Sequence, residues 1–151
     1  MYYNKEELLF EWITSAIPED IVLLYDVLVG SGGNMSVSLY NDLIVTSYVN
    51  GSKIREYTFV VSAILPVSDM LEDTTNFDNM RVIRACQQWL LEQAEDKNFP
   101  FFGDNAKVFK ITSTEAPVLE QSYENNLARY GFSATIHYLE VKNERRVIET
   151  A

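Results

Sequence analysis

The chain has 151 residues, of which 47% are hydrophobic and 13% aromatic, and its formal net charge is −10. A chain of this length and composition is expected to fold as one domain with a core of its own. The acidic balance argues against a dedicated DNA- or RNA-binding role, because phosphate binding needs patches of lysine and arginine. The single cysteine, Cys86, excludes an intramolecular disulfide and a zinc site built from cysteines.

The start of the chain leads directly into charged residues, so the sequence predicts no secretory signal. No apolar run approaches the roughly 20 residues that a membrane span needs. We therefore expect a protein that folds in a cytoplasm. The 9 tyrosines suit half-buried sheet surfaces, and tyrosine is also enriched where proteins dock on each other. Both interpretations stay open.

An amphipathic helix is predicted at the start. Asn4 and Glu7 have the spacing of a capping box, in which Asn4 accepts from the Glu7 amide and the Glu7 side chain reaches back. The helix ends before Pro18, because the residue that precedes proline disfavours the α conformation. Its apolar face consists of Leu8, Leu9, Trp12, Ile13 and Ala16.

The next segments are harder to assign. Residues 21–29 fit a strand by their β-branched residues, but the sequence before them also fits the start of a short helix. Gly32 and Gly33 indicate a plain turn, since neither a dinucleotide-binding nor a P-loop motif surrounds them. Residues 35–40 alternate cleanly and predict a strand that continues past Asn41 and Asp42.

Residues 43–65 predict a β-hairpin around Asn50 and Gly51. Asn-Gly is the strongest short-range hairpin signal, and both residues tolerate the positive φ of a type I′ turn. The second run, residues 54–65, is long enough to predict a strand at the centre of the sheet. The first, residues 43–49, lacks strict alternation, so we expect both of its faces to be partly covered.

A second helix is predicted over residues 76–95, and it ends at Lys97-Asn98-Phe99-Pro100. Its apolar face consists of Phe77, Met80, Ile83, Cys86 and Leu90, widened by Val82, Trp89 and Ala94. The aromatic loop that follows, Phe101-Phe102-Gly103, either folds under the helices or binds a partner, because it is costly to leave wet.

Two more strands are predicted, at residues 107–114 and 130–141, with a connection of uncertain form at residues 118–126. His137 falls on the opposite face of the last strand from Phe132 and Ile136. A single histidine in such a place is typically a surface or hydrogen-bonded residue. We expect residues 1–141 to form a single α+β domain and residues 142–151 to form a charged C-terminal tail that frays in isolation.

Catalytic and metal-binding patterns are absent from the sequence. His137 is the only imidazole, and no nucleophile-elbow motif precedes a helix. The adjacent acids Glu19/Asp20, Glu72/Asp73 and Glu95/Asp96 fall in loops or at helix ends, and no EF-hand spacing occurs. We therefore expect no enzymatic activity, no metal and no cofactor.

The order of these elements resembles the small tail-completion proteins of tailed bacteriophages and tail-like particles, a group that includes tail terminators and head–tail joining or minor capsid proteins. The resemblance spans residues 5–141 and is a pattern of elements and aromatics without an invariant motif. It is carried by Tyr48-Val49-Asn50-Gly51 with Tyr57-Thr58-Phe59, by Gln88-Trp89-Leu90, by Phe99-Pro100, and by residues 132–138.

The resemblance implies an α+β fold with an antiparallel or mixed sheet of four to five strands and two main helices packed against it. It also implies a ring, typically of six subunits, that caps the tail tube, stops its polymerisation and offers a docking face to the head connector or collar. The implied partners are further copies of the chain, the tail tube protein, the connector or collar protein and the sheath. Sequence-specific nucleic acid and membrane are not among them.

A virion protein of this kind sits in the tail or neck and is assembled in the cytoplasm of the bacterial host. The alternatives are a neck or head–tail connector protein and an acidic cytoplasmic protein-binding module. Candidate contact residues lie at the hairpin tip and in the phenylalanine loop, and they are Asn50, Gly51, Ser52, Lys53, Phe99, Phe101 and Phe102.

Overall fold

The computed structural model describes residues 4–17, 21–25, 34–66, 75–113, 118–122 and 127–142. The helices are α1 (Lys5–Ile13), which continues into a 3-10 turn (Thr14–Ala16), and α2 (Thr75–Glu95). The strands are β1 (Val22–Tyr25), β2 (Asn34–Ser47), β3 (Lys53–Pro66), β4 (Ala106–Ser113), β5 (Val118–Ser122) and β6 (Leu127–Glu140).

The strands form one mixed sheet in the order β1-β2-β3-β6-β4. Only the β1–β2 pair is parallel, and every other described pair is antiparallel. The short strand β5 pairs with the first part of β6, on the same side as β4. The α+β class with two main helices is therefore confirmed, and β3 lies at the centre, as its length predicted.

The N-terminal helix begins where its cap predicts. Asn4 Oδ1 accepts a hydrogen bond from the Glu7 amide at 3.2 Å. Leu9 and Ile13 are fully buried, and Leu8, Trp12 and Ala16 pack against the same core. The Trp12 ring lies 4.8 Å from that of Trp89, so the two tryptophans join α1 to α2.

The second helix covers the same face of the sheet as the first. Ile83, Cys86 and Leu90 are fully buried, as the helical pattern predicted, and Gln87 Nε2 donates to Ser113 Oγ on β4 at 2.9 Å. The side chain of Phe77 lies outside the described part. On the sheet, the buried residues under the helices alternate along β3 and β6 and include Tyr57, Phe59, Val61, Phe132, Ala134, Ile136 and Tyr138. We call this the helix-side face, and its opposite the outer face.

Strand β2 passes through Asn41 and Asp42 without ending, as predicted, but with two irregularities. Its register against β3 shifts between Leu39 and Asn41 and again between Ile44 and Thr46. Of the ambiguous segment 21–29, residues 22–25 form a strand, Ile21 precedes it, and residues 26–29 lie outside the described residues. Also outside are Gly32 and Gly33, the pairs Glu19/Asp20 and Glu72/Asp73, residues 123–126 of the connection and residues 143–151 of the tail.

Candidate assembly surface

The hairpin tip is a three-residue loop, so the predicted type I′ turn is wrong. Tyr48 and Ser52 close the loop, with Gly51 N donating to Tyr48 O at 3.0 Å and Tyr48 N donating to Ser52 O at 2.8 Å. Gly51 has φ +91°, whereas Asn50 is not among the residues with positive φ. This is the pattern of a type I turn followed by a G1 bulge, which needs a left-handed residue only at Gly51.

The four tip residues named from the sequence differ in exposure. Asn50 and Gly51 are exposed, Lys53 is half-buried and Ser52 is buried. Asn50 Oδ1 accepts from the Ser52 amide at 3.0 Å, which stiffens the loop. Ser52 Oγ accepts from the Lys142 amide at 3.4 Å, so the tip lies beside the end of the described chain.

The phenylalanine loop splits between core and surface. Phe102 is buried between two tyrosines, with ring centroids 5.3 Å from Tyr57 and 5.6 Å from Tyr138. Both contacts are edge-to-face, the arrangement that aromatic quadrupoles favour. Phe99 is half-buried against the core and Phe101 is 53% exposed. Of the three, Phe101 is therefore the one whose ring faces outward, and Phe102 takes the structural role that the sequence left open.

Most of the large apolar residues that are exposed in the described part of the chain lie on strand β2 and at the start of the loop that follows it. We call residues 39–49 the β2 arm. Every residue from 43 to 51 is exposed, whereas the sequence predicted partial cover on both faces. Leu43 pairs with Glu56 on the outer face and Ile44 pairs with Arg55 on the helix-side face, so apolar side chains project from both. The large apolar residues exposed along the arm are Leu39, Tyr40, Leu43, Ile44, Val45, Tyr48 and Val49.

A charged network fixes the base of the arm. Arg55 Nε lies 3.1 Å from Asp42 Oδ1, and Arg55 Nη1 lies 3.3 Å from Glu140 Oε2. The Tyr138 hydroxyl lies 3.0 Å from both carboxylate oxygens of Asp42. Burial and the negative charge of Asp42 raise the pKa of Tyr138 well above its usual range, so the phenol stays protonated and remains a donor. Strands β2, β3 and β6 are thereby tied together where the arm begins.

The outer face of the sheet carries a row of polar contacts. His137 Nδ1 lies 3.4 Å from Glu56 Oε1, and its Nε2 lies 3.2 Å from Thr112 Oγ1. Thr58 and Thr135 join their hydroxyls at 2.9 Å. Burial lowers the pKa of His137, Glu56 opposes that shift and Lys110 adds to it. His137 is thus a hydrogen-bonded sheet residue, as its position in the sequence predicted.

Glu56, His137 and Thr112 stand in the order carboxylate, imidazole, hydroxyl, which a nucleophilic triad also uses. A shallow hollow of about 400 Å³ in the described part of the chain includes none of them. It lies between α1 and the end of β1 and is lined by Asn4, Glu6, Glu7, Phe10, Glu11 and Tyr25. The contacts of these three residues link neighbouring strands β3, β6 and β4 across the outer face.

Within the described ranges, no group of three or more His, Cys, Asp or Glu residues is placed to hold a metal ion. In the same part of the chain, neither helix combines the length and the apolar character needed to cross a bilayer. Comparison with known proteins finds no family model and no curated protein that matches this sequence.

Proposed function

We propose that the chain is a structural virion protein of a tailed bacteriophage or tail-like particle. It is a tail terminator: copies of it form a ring on the end of the tail tube, stop polymerisation and offer a docking face to the head connector or collar. The ring has six subunits in the family that the sequence resembles. The observation that carries the proposal is the β2 arm, whose large apolar side chains are 38% to 108% exposed.

The clustering of apolar residues on this surface favours an assembly protein. The seven large apolar residues of the arm are each at least 38% exposed, and they lie close together in the chain, on both faces of the strand. Clustered exposed apolar residues mark interaction sites, whereas apolar residues scattered singly over a surface need no explanation. Water contact along the arm is therefore costly for an isolated subunit and is removed when the arm docks.

The arm is also built to dock without rearrangement. It is paired with β3 from Leu39 to Ser47 apart from two register shifts, and the contacts of Asp42 with Arg55 and Tyr138 hold its base. A preformed surface loses little conformational entropy on binding, so more of the gain from burial is retained as affinity. At the tip, Asn50, Gly51 and Lys53 form a polar rim next to the apolar arm, the arrangement typical of an interface edge.

The net charge of −10 suits a ring through which DNA passes, because an acidic lumen repels phosphates. No binding to a particular nucleic acid sequence, to a membrane or to a cofactor is part of the proposal. The same surface also fits the alternative, a neck or head–tail connector protein of the same particle. A tail terminator ring binds the end of the tail tube, whereas the ring of a neck protein binds the head connector.

Growth of tail tubes in the presence of the purified chain tests the proposal. The tube protein of the same particle is polymerised with and without the chain, and tube lengths and ends are measured by negative-stain electron microscopy. We expect ring-shaped caps and shorter tubes with the wild type and with Leu91→Glu, and neither with Leu43→Glu. Both leucines are exposed, at 40% and 53%, but only Leu43 lies on the arm. Rings bound to the head connector and not to tube ends would support the alternative, a neck protein. Binding to neither structure would overturn the proposal.

A further inference from the structure

We infer that the subunits join edge to edge, with the β2 arm of one copy pairing with the outer edge of β4 in the next copy, so that their sheets become continuous. The inference rests on the self-assembly in the proposed function and names the two surfaces that meet. The partner is thus a second copy of this chain, bound through strand pairing.

Among the described residues, each of the two strands has an edge that is not paired with another strand. Beyond Val37, where its pairing with β1 ends, β2 pairs only with β3 among the described residues. At the opposite edge of the sheet, β4 pairs only with β6 among the described residues. Open edges present rows of backbone N–H and C=O groups that another strand can satisfy. Because the two edges lie at opposite sides of one sheet, a copy can use both at once.

The strand directions allow this pairing to repeat. β2 is antiparallel to β3, β3 to β6, and β6 to β4, so β2 and β4 run in opposite directions. When neighbouring copies are related by rotation about an axis parallel to the strands, each strand keeps its direction. β2 of one copy then lies beside β4 of the next and runs antiparallel to it. Two different patches meet in such a contact, which is the heterologous kind that forms a ring when the rotation between copies closes.

The side chains at the two edges match on the outer face. Leu43 pairs with Glu56, Glu56 with His137, and His137 with Lys110, so one row crosses the sheet from β2 to β4. Phe109 is displaced by the bulge next to Lys110, is 50% exposed, and lies 6.3 Å from the His137 ring. In a continuous sheet, Phe109 of one copy lies on the same face as Leu43 of its neighbour, where cross-strand apolar pairs stabilise a sheet.

Charge distinguishes this pairing from the symmetric ones. β4 carries Lys107 and Lys110, both exposed, and no acidic residue, so two β4 edges repel each other. The β2 arm contains no basic residue and one acidic residue, Asp42. Pairing of two arms avoids repulsion but leaves both Phe109 rings exposed. Pairing of the arm with β4 brings the lysines to an edge without positive charge and covers Phe109.

Mixing of two variants in sedimentation velocity experiments tests the inference. Leu43→Glu disrupts the arm and leaves the β4 edge intact. Phe109→Glu disrupts the β4 edge and leaves the arm intact. We expect each variant alone to be monomeric at concentrations where wild type and Leu91→Glu associate, and their mixture to form a one-to-one dimer through the single intact contact. Association of Phe109→Glu at the wild-type level would overturn the inference and leave the tail-terminator proposal standing.

A covalent readout keeps the test decisive if a glutamate variant folds poorly. Leu43→Cys and Phe109→Cys chains are mixed under oxidising conditions, with buried Cys86 left in place. We expect cross-links between the two variants and none within either one, and a ladder of multimers when both changes are in one chain. Cross-links between two Leu43→Cys chains would overturn the inference, as would a wild type that stays monomeric. The tube-capping assay then decides the proposed function separately.

Discussion

Tyr138 on β6 is hydrogen-bonded to Asp42 on β2 although β3 lies between their strands. The hydroxyl of Tyr138 is 3.0 Å from each oxygen of Asp42, and Arg55 on β3 reaches the same carboxylate at 3.1 Å. Asp42 is the last half-buried residue before the exposed run that begins at Leu43. The contact therefore joins the buried sheet to the surface that we propose for assembly.

Tyr138→Phe is expected to lower the free energy of unfolding by about 2 kcal/mol, because a hydrogen bond to a charged group is lost from a fully buried ring. Urea unfolding followed by circular dichroism measures the change. Tyr57→Phe is the matched control. The Tyr57 hydroxyl is buried and makes no hydrogen bond of good geometry in the described part of the chain. Burial, the largest cause, and the nearby Glu6 carboxylate raise its pKa. Its removal should change stability by less than about 0.5 kcal/mol. Equal losses in the two variants would contradict the role assigned to Asp42.

Gly51→Ala should destabilise the hairpin by about 1 kcal/mol, since φ at this residue is +91° and side chains rarely adopt that conformation. The added Cβ would also meet the side chain of Lys142. Thermal unfolding of Gly51→Ala alone and in a Lys142→Ala background separates the two causes. We expect Gly51→Ala to cost less stability in the Lys142→Ala background than in the wild type, but still to be destabilising. A Gly51→Ala protein as stable as the wild type would be inconsistent with the G1-bulge turn.

His137 should make the protein less stable as the pH falls through about 6.5. Burial, the largest cause, lowers its pKa in the folded state, so the unfolded chain binds protons more readily in this range. The contribution of His137 to the free energy of unfolding therefore decreases on acidification. It becomes constant below the pKa that His137 has in the folded protein. Denaturant midpoints between pH about 7 and about 5 measure this for the wild type and for His137→Asn. Parallel profiles of the two proteins would show that His137 does not contribute.

Cys86 should react with thiol reagents only when the protein opens. Its side chain is fully buried in α2, and burial raises its pKa to about 12, so little thiolate is available to attack the reagent. We expect labelling with a disulfide reagent to follow the unfolding rate in water and to be immediate in denaturant. Rapid labelling of the native protein, unchanged by a stabilising co-solvent, would place Cys86 at the surface.

Much of the fold follows from local signals in the sequence. The Asn4 cap and the spacing of Leu9 and Ile13 predict α1, and the spacing of Ile83, Cys86 and Leu90 predicts α2. Alternation predicts β6, because Phe132, Ala134 and Ile136 must all face the helices. These predictions hold because periodicity records which face is buried within the same chain.

The surface that we propose for assembly does not follow from periodicity. Leu43, Ile44 and Val45 form a continuous apolar run, which is typical of a strand covered on both faces. The run is exposed in the subunit, and a pattern of apolar residues does not reveal whether the cover comes from the same chain or from another. The hairpin tip shows a similar limit, since Asn50 and Gly51 fit both a two-residue and a three-residue loop. The residue that makes the loop three residues long is Val49, whose exposed fraction is 108%.

Sedimentation velocity over a wide concentration range tests the central claim, that the β2 arm is the surface through which copies of the chain assemble. The wild type, Leu43→Glu and the control Leu91→Glu are compared after circular dichroism has shown that all three are folded. We predict that the wild type and Leu91→Glu form oligomers of ring size as the concentration rises, whereas Leu43→Glu remains monomeric. A Leu43→Glu protein that assembles as the wild type does would contradict the claim, as would a wild type that stays monomeric throughout.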